Sequence, residues 1–226
     1  MKHTLKTTSL GTLVTLFVLN AFAHVPFIEG KDYAEFKPFP VQNITQSKAF
    51  YAYLEQDEAD SFVMEIDKPT RIYVNTLIPF CREYAKYDVN YALTGPGLPQ
   101  PDVDVPFDLP AGHGAVVYEP QYSDWSGRPF MYEQYSDRRY FEGSNYTYEA
   151  QESGTYKLFV WHASGIPGDY IAVIGRAEQW GSEDVKLAAI NTPIIQDRAE
   201  MRSNCESEGD FSKWFEDESF LSAESR

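Results

Sequence analysis

Three histidines are the residues of this sequence best suited to metal chemistry: His24, His113 and His162. His24 directly follows Ala21-Phe22-Ala23, a small-x-small sequence typical of signal-peptide cleavage sites. Cleavage there would make His24 the first residue, so that its α-amino group and one ring nitrogen could bind a metal ion. His113 or His162 would then complete a three-nitrogen, T-shaped site suited to copper. The alternative is that all three are ordinary polar residues, with His24 beside the cleavage site by chance.

The start of the chain has the parts of a secretory signal peptide. Lys2, His3 and Lys6 make it basic, and a short apolar run over residues 10–23 ends in the cleavage sequence. This run is too short and wrongly flanked for a membrane span, and no later run is apolar for the roughly 18 residues that a span needs. We therefore expect residues 1–23 to be removed and the protein to be periplasmic or secreted.

An N-terminal histidine after such a leader resembles the histidine brace of copper-dependent polysaccharide monooxygenases and of exported copper carriers. The resemblance concerns His24 itself. It implies a copper cofactor, bound either by a carrier or by an oxidative enzyme.

An aromatic stretch between residues 120 and 144 is the second candidate site. It is too long and too rich in aromatic residues for an ordinary connector. Flat rings could stack on sugar faces while nearby charged groups bond to hydroxyls. Alternatively, the rings pack over an open end of the fold. The candidate ligand-binding residues are Tyr122, Trp125, Arg128, Phe130, Tyr132, Tyr135 and Tyr140.

Conventional catalysis has little support in the sequence. There is no GxSxG, HExxH, CxxC, P-loop or dinucleotide-binding motif. Asp and Glu number 34 against 19 Lys and Arg, giving a formal net charge of −15 at pH 7. With so many carboxylates, some pair will lie by chance at the distance that separates the two catalytic carboxylates of a glycosidase.

The net negative charge repels nucleic acid and anionic lipid, so we expect neither as a partner. It favours solubility, with Ca²⁺ binding by acid clusters as the alternative.

The two cysteines, Cys81 and Cys205, predict one disulfide. In an oxidising compartment this bond would close a large loop and tie the C-terminal region to the sheet. A Cys/His nucleophile is the alternative, although neither cysteine has a recognisable catalytic context.

Period-two alternation of apolar and polar residues predicts an all-β fold. Seven or eight short strands, with turn signals about every 8–12 residues, indicate an antiparallel β-sandwich or jelly roll. The stretch GTYKLFVWHASGIPGDYIAVIG, residues 154–175, has two strand patterns around a turn and predicts a central antiparallel hairpin. Residues 99–110 contain four prolines and predict a loop or edge segment.

Three sequence blocks resemble the bacterial pre-peptidase C-terminal domain. They are DEADSFVMEIDKPTRIYVNT, YDVNYALTGPG and ESGTYKLFVWHASGIPGDYIAVIG, and the resemblance covers residues 47–175. The shared pattern is an acidic turn, a strand, a later Gly-Thr-Tyr strand and a closing Gly-Asp-Tyr strand. The resemblance implies a β-sandwich and says little about activity.

A change of period after residue 180 predicts a short helical extension. Ser182 followed by two acids is typical of a helix start, and Thr192-Pro193 is typical of a second. The predicted organisation is a signal peptide (1–23), an extended segment (24–46), a β-sandwich domain (47–180), a helical extension (181–202) and an acidic, flexible tail (203–226).

Together these patterns predict an exported, non-catalytic binding or interaction module of the bacterial envelope or secretome. Its partner would be an envelope or extracellular ligand, with carbohydrate as one candidate. The alternative function is a copper-binding protein that uses His24.

Overall fold

The computed structural model describes residues 24–30, 37–67, 69–120, 128–203 and 205. The predicted signal peptide, Tyr122 and Trp125, and residues 206–226 of the predicted tail lie outside the described residues. The elements are β1 (Val25–Ile28), β2 (Phe39–Pro40), β3 (Lys48–Leu54), β4 (Ala59–Ile66), β5 (Thr70–Pro79), a 3₁₀ turn (Arg82–Tyr84), β6 (Asn90–Pro96), β7 (His113–Tyr118), β8 (Phe130–Glu133), β9 (Arg138–Ala150), β10 (Gly154–Trp161), β11 (Gly168–Ile174) and α1 (Ser182–Gln196).

The strands form two sheets, which confirms the predicted all-β sandwich with a short helix near its C-terminus. Sheet 1 has six strands in the order β1-β3-β11-β5-β9-β8, and sheet 2 has five in the order β2-β4-β10-β6-β7. The described residues thus contain eleven strands, more than the seven or eight that the sequence predicts. The additional strands are β1, β2 and β8, which are short and lie at sheet edges.

The N-terminal segment supplies an edge strand to each sheet. β1 runs parallel to β3, with Val25 opposite Lys48, and β2 runs parallel to β4, with Phe39 opposite Phe62. Each sheet is therefore mixed, although most of its pairs are antiparallel. The described residues of the predicted extended segment thus contribute strands to the sandwich.

The predicted central hairpin over residues 154–175 is wrong, although both of its strands exist. β10 pairs with β4 and β6 in sheet 2, whereas β11 pairs with β3 and β5 in sheet 1. The connection between them crosses from one sheet to the other. Gly165 in this connection has a φ of +65°, a conformation that favours glycine, and a Cβ there would collide with the carboxylate of Asp57.

Part of the aromatic stretch is also more regular than predicted. β8 and the start of β9 form an antiparallel hairpin, with Phe130 opposite Phe141 and Glu133 opposite Arg138. The turn holds because the Glu133 carboxylate accepts hydrogen bonds from the backbone N–H groups of Tyr135 (3.0 Å) and Ser136 (2.6 Å). Two strand segments therefore lie inside the stretch that the sequence presents as an irregular aromatic insertion.

The main core lies between the two sheets. Phe50 and Ile72 of sheet 1 meet Phe62 and Leu158 of sheet 2, and all four side chains are fully buried. Phe50 and Phe62 have ring centroids 5.1 Å apart. Burial of each such side chain contributes about 1.5–3 kcal/mol to stability, so this layer fixes the relative position of the sheets.

Two smaller clusters cover the outer faces. On sheet 1, Ile195 of α1 packs with strand residues that include Tyr51 and Tyr140. On sheet 2, Phe107 from the proline-rich loop stacks on Phe159, with centroids 3.9 Å apart and planes 6° apart. The predicted loop over residues 99–110 is confirmed, and its role is to shield an apolar sheet face.

α1 is one helix, so the predicted second start at Thr192-Pro193 is wrong. Its buried residues Ala188, Asn191 and Ile195 share one face at helical spacing, and packing of that face keeps the helix continuous through Pro193. Asn191 Nδ2 donates to the backbone oxygen of Pro26 in β1, at 2.9 Å. None of the helical structure in the described residues has the length and apolar character that crossing a membrane requires.

The predicted disulfide is confirmed. Cys81 and Cys205 are bonded, and 124 positions separate them in the sequence. The bond joins the start of the 3₁₀ turn to the segment that follows α1.

Candidate functional site

The structure divides the predicted ligand-binding residues into an interior group and an exposed group. Tyr140 is 1% exposed and packs against the ring of Tyr51, with centroids 6.5 Å apart. Burial raises the pKa of Tyr140 to about 12. Tyr140 is thus a core residue, contrary to its prediction as a ligand contact.

Arg128, also predicted as a ligand contact, forms a buried ion pair. Its Nη2 lies 3.0 Å from Oδ2 of Asp88, and the two side chains are 1% and 5% exposed. Nη1 donates to the backbone oxygen of Tyr87 at 2.7 Å, and the guanidinium lies 5.0 Å from the ring centre of Phe141. Burial raises the pKa of Asp88, whereas the positive charge of Arg128 lowers it. Arg128 therefore has a structural role, since its ion pair and hydrogen bond stabilise the folded state. Sequence reasoning missed Asp88, since 40 positions separate the pair and no local pattern links them.

Phe130 and Tyr132 form the exposed group. They are 48% and 49% exposed and lie two residues apart on β8, so their side chains point to the same face, about 7 Å apart along the strand. The ring of Phe130 rests on the buried ring of Phe80, with centroids 4.9 Å apart. Phe80 thus supports one of the two exposed rings from below.

Polar groups flank these rings. The hydroxyl of Tyr132 donates to the carboxylate of Asp137, a hydrogen bond that raises the pKa of Tyr132. The guanidinium of Arg139 lies 5.8 Å from the centre of the same ring. We call Phe130, Tyr132, Asp137 and Arg139 the β8 patch. It combines two accessible aromatic faces with one acidic and one basic group on a single hairpin.

Tyr135 lies beside the β8 patch in a structural role. Its ring is half-buried and meets Trp180 edge to face, with centroids 5.6 Å apart. Its backbone oxygen accepts a hydrogen bond of 3.0 Å from Gln196 Nε2 at the end of α1. Tyr135 therefore ties the β8–β9 turn to the helix.

The three candidate metal ligands lie in different parts of the sandwich. Nδ1 of His24 is 2.5 Å from the hydroxyl of Ser47, at the start of β3. Burial lowers the pKa of His24, while the charge of Glu133 raises it. His113 begins β7, an edge strand of sheet 2, opposite Pro96.

His162 lies at the other end of β3 from His24. Its ring stacks on Tyr87, with centroids 5.1 Å apart, and Tyr87 donates to the backbone oxygen of Gly168, which pairs with Leu54. The seven residues of β3 therefore separate the two histidines by about 20 Å. The fold does not gather His24, His113 and His162 into one group.

Within the described part of the chain, one group of three potential metal ligands has its ligand atoms within 4.8 Å of one another. It consists of Cys81, Glu83 and Cys205. The disulfide occupies both sulfur atoms, and a metal ion needs thiolates, so this group does not fit a metal site.

A buried polar cluster holds the segment that follows α1 against sheet 1. The Asp169 carboxylate accepts hydrogen bonds from Tyr84 Oη (2.7 Å) and from the backbone N–H groups of Arg202 (2.9 Å) and Ser203 (3.0 Å). Beside it, Arg138 Nη1 lies 2.9 Å from Glu200 Oε1, with side chains 2% and 4% exposed. These contacts give the C-terminal segment a fixed path to the disulfide.

The Arg138–Glu200 pair makes stability depend on pH. Burial raises the pKa of Glu200 from 4.5 to about 7, although the charge of Arg138 lowers it. Between pH 4.5 and about 7 the folded state therefore binds more protons than the unfolded state. The stabilisation that Glu200 provides is complete below pH 4.5 and is lost as the pH rises through 7. We expect the free energy of unfolding of the wild type, relative to Glu200→Gln, to fall across this range. Urea unfolding of both proteins at pH 4.5, 6 and 7.5 measures it, and a constant difference would contradict the assignment.

Comparison with known proteins does not assign a family. No protein-family model matches this chain, and no curated protein is similar enough to count as a match.

Proposed function

We propose that this chain is an exported, non-catalytic binding module and that its ligand contacts the β8 patch. The observation that carries the proposal is the exposure of Phe130 and Tyr132 side by side on the β8–β9 hairpin, while Tyr140 and Arg128 of the same stretch are buried. Large aromatic rings are usually buried. Two adjacent exposed rings with polar neighbours are typical of a contact surface.

Carbohydrate is the ligand class that this surface favours. Two flat rings can cover the apolar faces of sugar units, and the Asp137 carboxylate and the Arg139 guanidinium can accept from and donate to hydroxyl groups. A negatively charged polymer is disfavoured by the net charge of −15. A neutral glycan avoids that repulsion.

Export is supported by the leader sequence and by the disulfide. A disulfide persists in an oxidising compartment, such as the periplasm or the exterior of the cell. The sequence resemblance to the pre-peptidase C-terminal domain implies a sandwich fold and no particular activity. Under this proposal the protein acts in the envelope or the secretome.

The copper alternative has less support than the binding module. It requires His24 as the first residue and a second histidine close to it, and the fold places His113 and His162 elsewhere. The N-terminal sequence of the exported protein decides the first requirement. Copper titration with electron paramagnetic resonance, repeated on His24→Ala, His113→Ala and His162→Ala, shows which histidines ligate copper.

Substitutions in the β8 patch test the proposal. Titration with cellohexaose, xylohexaose, mannohexaose and chitohexaose should identify at least one ligand. Phe130→Ala and Tyr132→Ala should each weaken its binding roughly tenfold, because each removes one stacking surface. The melting temperature should change little, since both side chains are about half exposed. Isothermal titration calorimetry and thermal unfolding provide the two readings.

Ile190→Ala is the matched control. Ile190 is 64% exposed on α1, so the change removes a similar apolar side chain away from the β8 patch and should leave binding unchanged. If the β8 variants instead unfold at markedly lower temperature with unaltered affinity, the rings are structural and the proposal fails. Absence of binding to all four hexasaccharides at millimolar concentration would reject carbohydrate as the ligand class.

A further inference from the structure

A cleft on the opposite side of the sandwich has the features of a second binding site. It has a volume of about 340 Å³ and opens beside β1 and β2, the edge strands on that side. This volume lies within the range of small-molecule sites, roughly 300–1,000 Å³. The residues that line the cleft and carry the argument are Phe27, Phe39, Phe50, Gln46, Lys48 and Asp184.

Three phenylalanine rings form the apolar wall of the cleft. Phe27 and Phe50 are stacked, with centroids 5.0 Å and planes 24° apart. Phe39 meets both of them edge to face, at 5.9 Å and 5.2 Å. Phe27 and Phe39 are only half-buried, so parts of their rings remain accessible. Such a wall suits a flat or elongated apolar group.

Lys48 supplies a positive charge at the polar side of the cleft. It lies two positions before Phe50 on β3, faces the interior of the sandwich and is 5% exposed. Its Nζ donates to the backbone oxygens of Asn43 (2.8 Å) and Gln46 (3.4 Å). An ammonium group has three N–H donors, so these contacts leave one for a ligand.

Two hydrogen bonds hold Asp184, the acid of the cleft, in place. Oδ2 of Asp184 accepts hydrogen bonds from Gln46 Nε2 (2.7 Å) and from the backbone N–H of Gly181 (2.7 Å), at the start of α1. Desolvation lowers the pKa of Lys48 to about 8, and the charge of Asp184 opposes that shift. Lys48 therefore stays mostly protonated at pH 7, and an anion entering the cleft would gain a charged donor in a partly desolvated place.

We propose that this cleft binds a small monocarboxylate with an apolar body, whose carboxylate accepts from Lys48 and whose body packs on Phe27, Phe39 and Phe50. The ligand is anionic because the available donor is an ammonium group, and it is apolar because the accessible wall is aromatic. This site is separate from the β8 patch and does not depend on it.

Three ligands of similar size and different charge test the proposal on the unaltered protein: phenylacetate, phenylacetamide and phenethylamine. We expect phenylacetate to bind roughly tenfold more tightly than phenylacetamide, because only the carboxylate makes a charge-assisted hydrogen bond. Phenethylamine should bind most weakly. NMR titration at pH 7 gives the three dissociation constants and shows which amides respond.

Substitutions distinguish the contribution of the Lys48 charge to binding from that of the phenylalanine wall. Lys48→Met should abolish the preference for phenylacetate over phenylacetamide, whereas Lys48→Arg, which keeps the charge, should retain it. Phe39→Ala should weaken all three ligands, and Ile190→Ala, which alters an exposed side chain outside both sites, should affect none. Tightest binding of phenethylamine, a preference for phenylacetate that survives Lys48→Met, or no binding of phenylacetate at tens of millimolar would each overturn the proposal.

Discussion

Replacement of both cysteines, Cys81→Ala with Cys205→Ala, is expected to lower the free energy of unfolding by about 5 kcal/mol on the chain-entropy estimate. The disulfide closes a loop whose ends are 124 positions apart, so its loss greatly increases the conformational freedom of the unfolded chain. The segment that follows α1 would then be held by non-covalent contacts only, among them those of Asp169 and of the Arg138–Glu200 pair. Equilibrium unfolding in urea measures the change.

The wild-type protein in reducing agent is the control for the cysteine variant. Both proteins lack the disulfide, so their urea unfolding midpoints should differ only by the effect of replacing the two cysteine side chains with alanine. A double variant that unfolds at the same urea concentration as the oxidised wild type would contradict the expected role of the disulfide.

Asp88→Asn is expected to destabilise the protein by roughly 3–5 kcal/mol. The Arg128 guanidinium is almost completely buried beside Asp88 and cannot lose its proton, so the variant removes the negative charge that faces a buried positive charge. Asparagine has nearly the same shape, and its oxygen can still accept the 2.9 Å hydrogen bond from the backbone N–H of Val89. The change therefore removes the charge and also places an amide N–H donor where the guanidinium had an acceptor oxygen. Chemical unfolding at pH 7 gives the size of the effect.

Glu149→Gln provides the matched comparison. It neutralises the acid of an exposed ion pair with Arg71, whose side chains are 66% (Arg71) and 60% (Glu149) exposed, and it should cost less than about 1 kcal/mol. Equal effects of Asp88→Asn and Glu149→Gln would show that burial does not govern the Arg128 pair.

Alternation along single strands made much of the sheet structure predictable. On β3 the pattern places Phe50 and Leu54 on one face and Tyr51 on the other, and the structure has the first two in the central core and Tyr51 in the outer cluster. This works because side-chain direction in a strand depends only on position along the chain. The disulfide was predictable for a similar reason, since an exported chain with two cysteines has one possible pairing.

Pairing between strands was less predictable. The turn residues between β10 and β11 suit a tight hairpin and a crossing between sheets equally well, because the sequence of a connection does not state which strand lies beside which. The burial of Arg128 and Tyr140 has the same origin. Their surroundings come from Asp88 and Tyr51, residues that are distant in sequence.

The composition of the candidate sites also depends on contacts between residues that are distant in sequence. Sequence alone presented the aromatic stretch as a candidate ligand site, but it could not separate exposed Phe130 and Tyr132 from buried Tyr140. Lys48 lies two positions before Phe50 on β3, so the alternation placed its side chain on the inner face, but it could not show that a cleft lies there. Charged residues at inward strand positions are worth testing as site residues.

NMR chemical-shift mapping with the tightest-binding hexasaccharide tests the central claim most directly. The binding-module account predicts that the largest perturbations fall on Phe130, Tyr132 and Arg139, with smaller changes along the rest of β8. Perturbations centred on α1 or on the opposite side of the sandwich, with β8 unaffected, would contradict the assignment of the β8 patch as the binding surface.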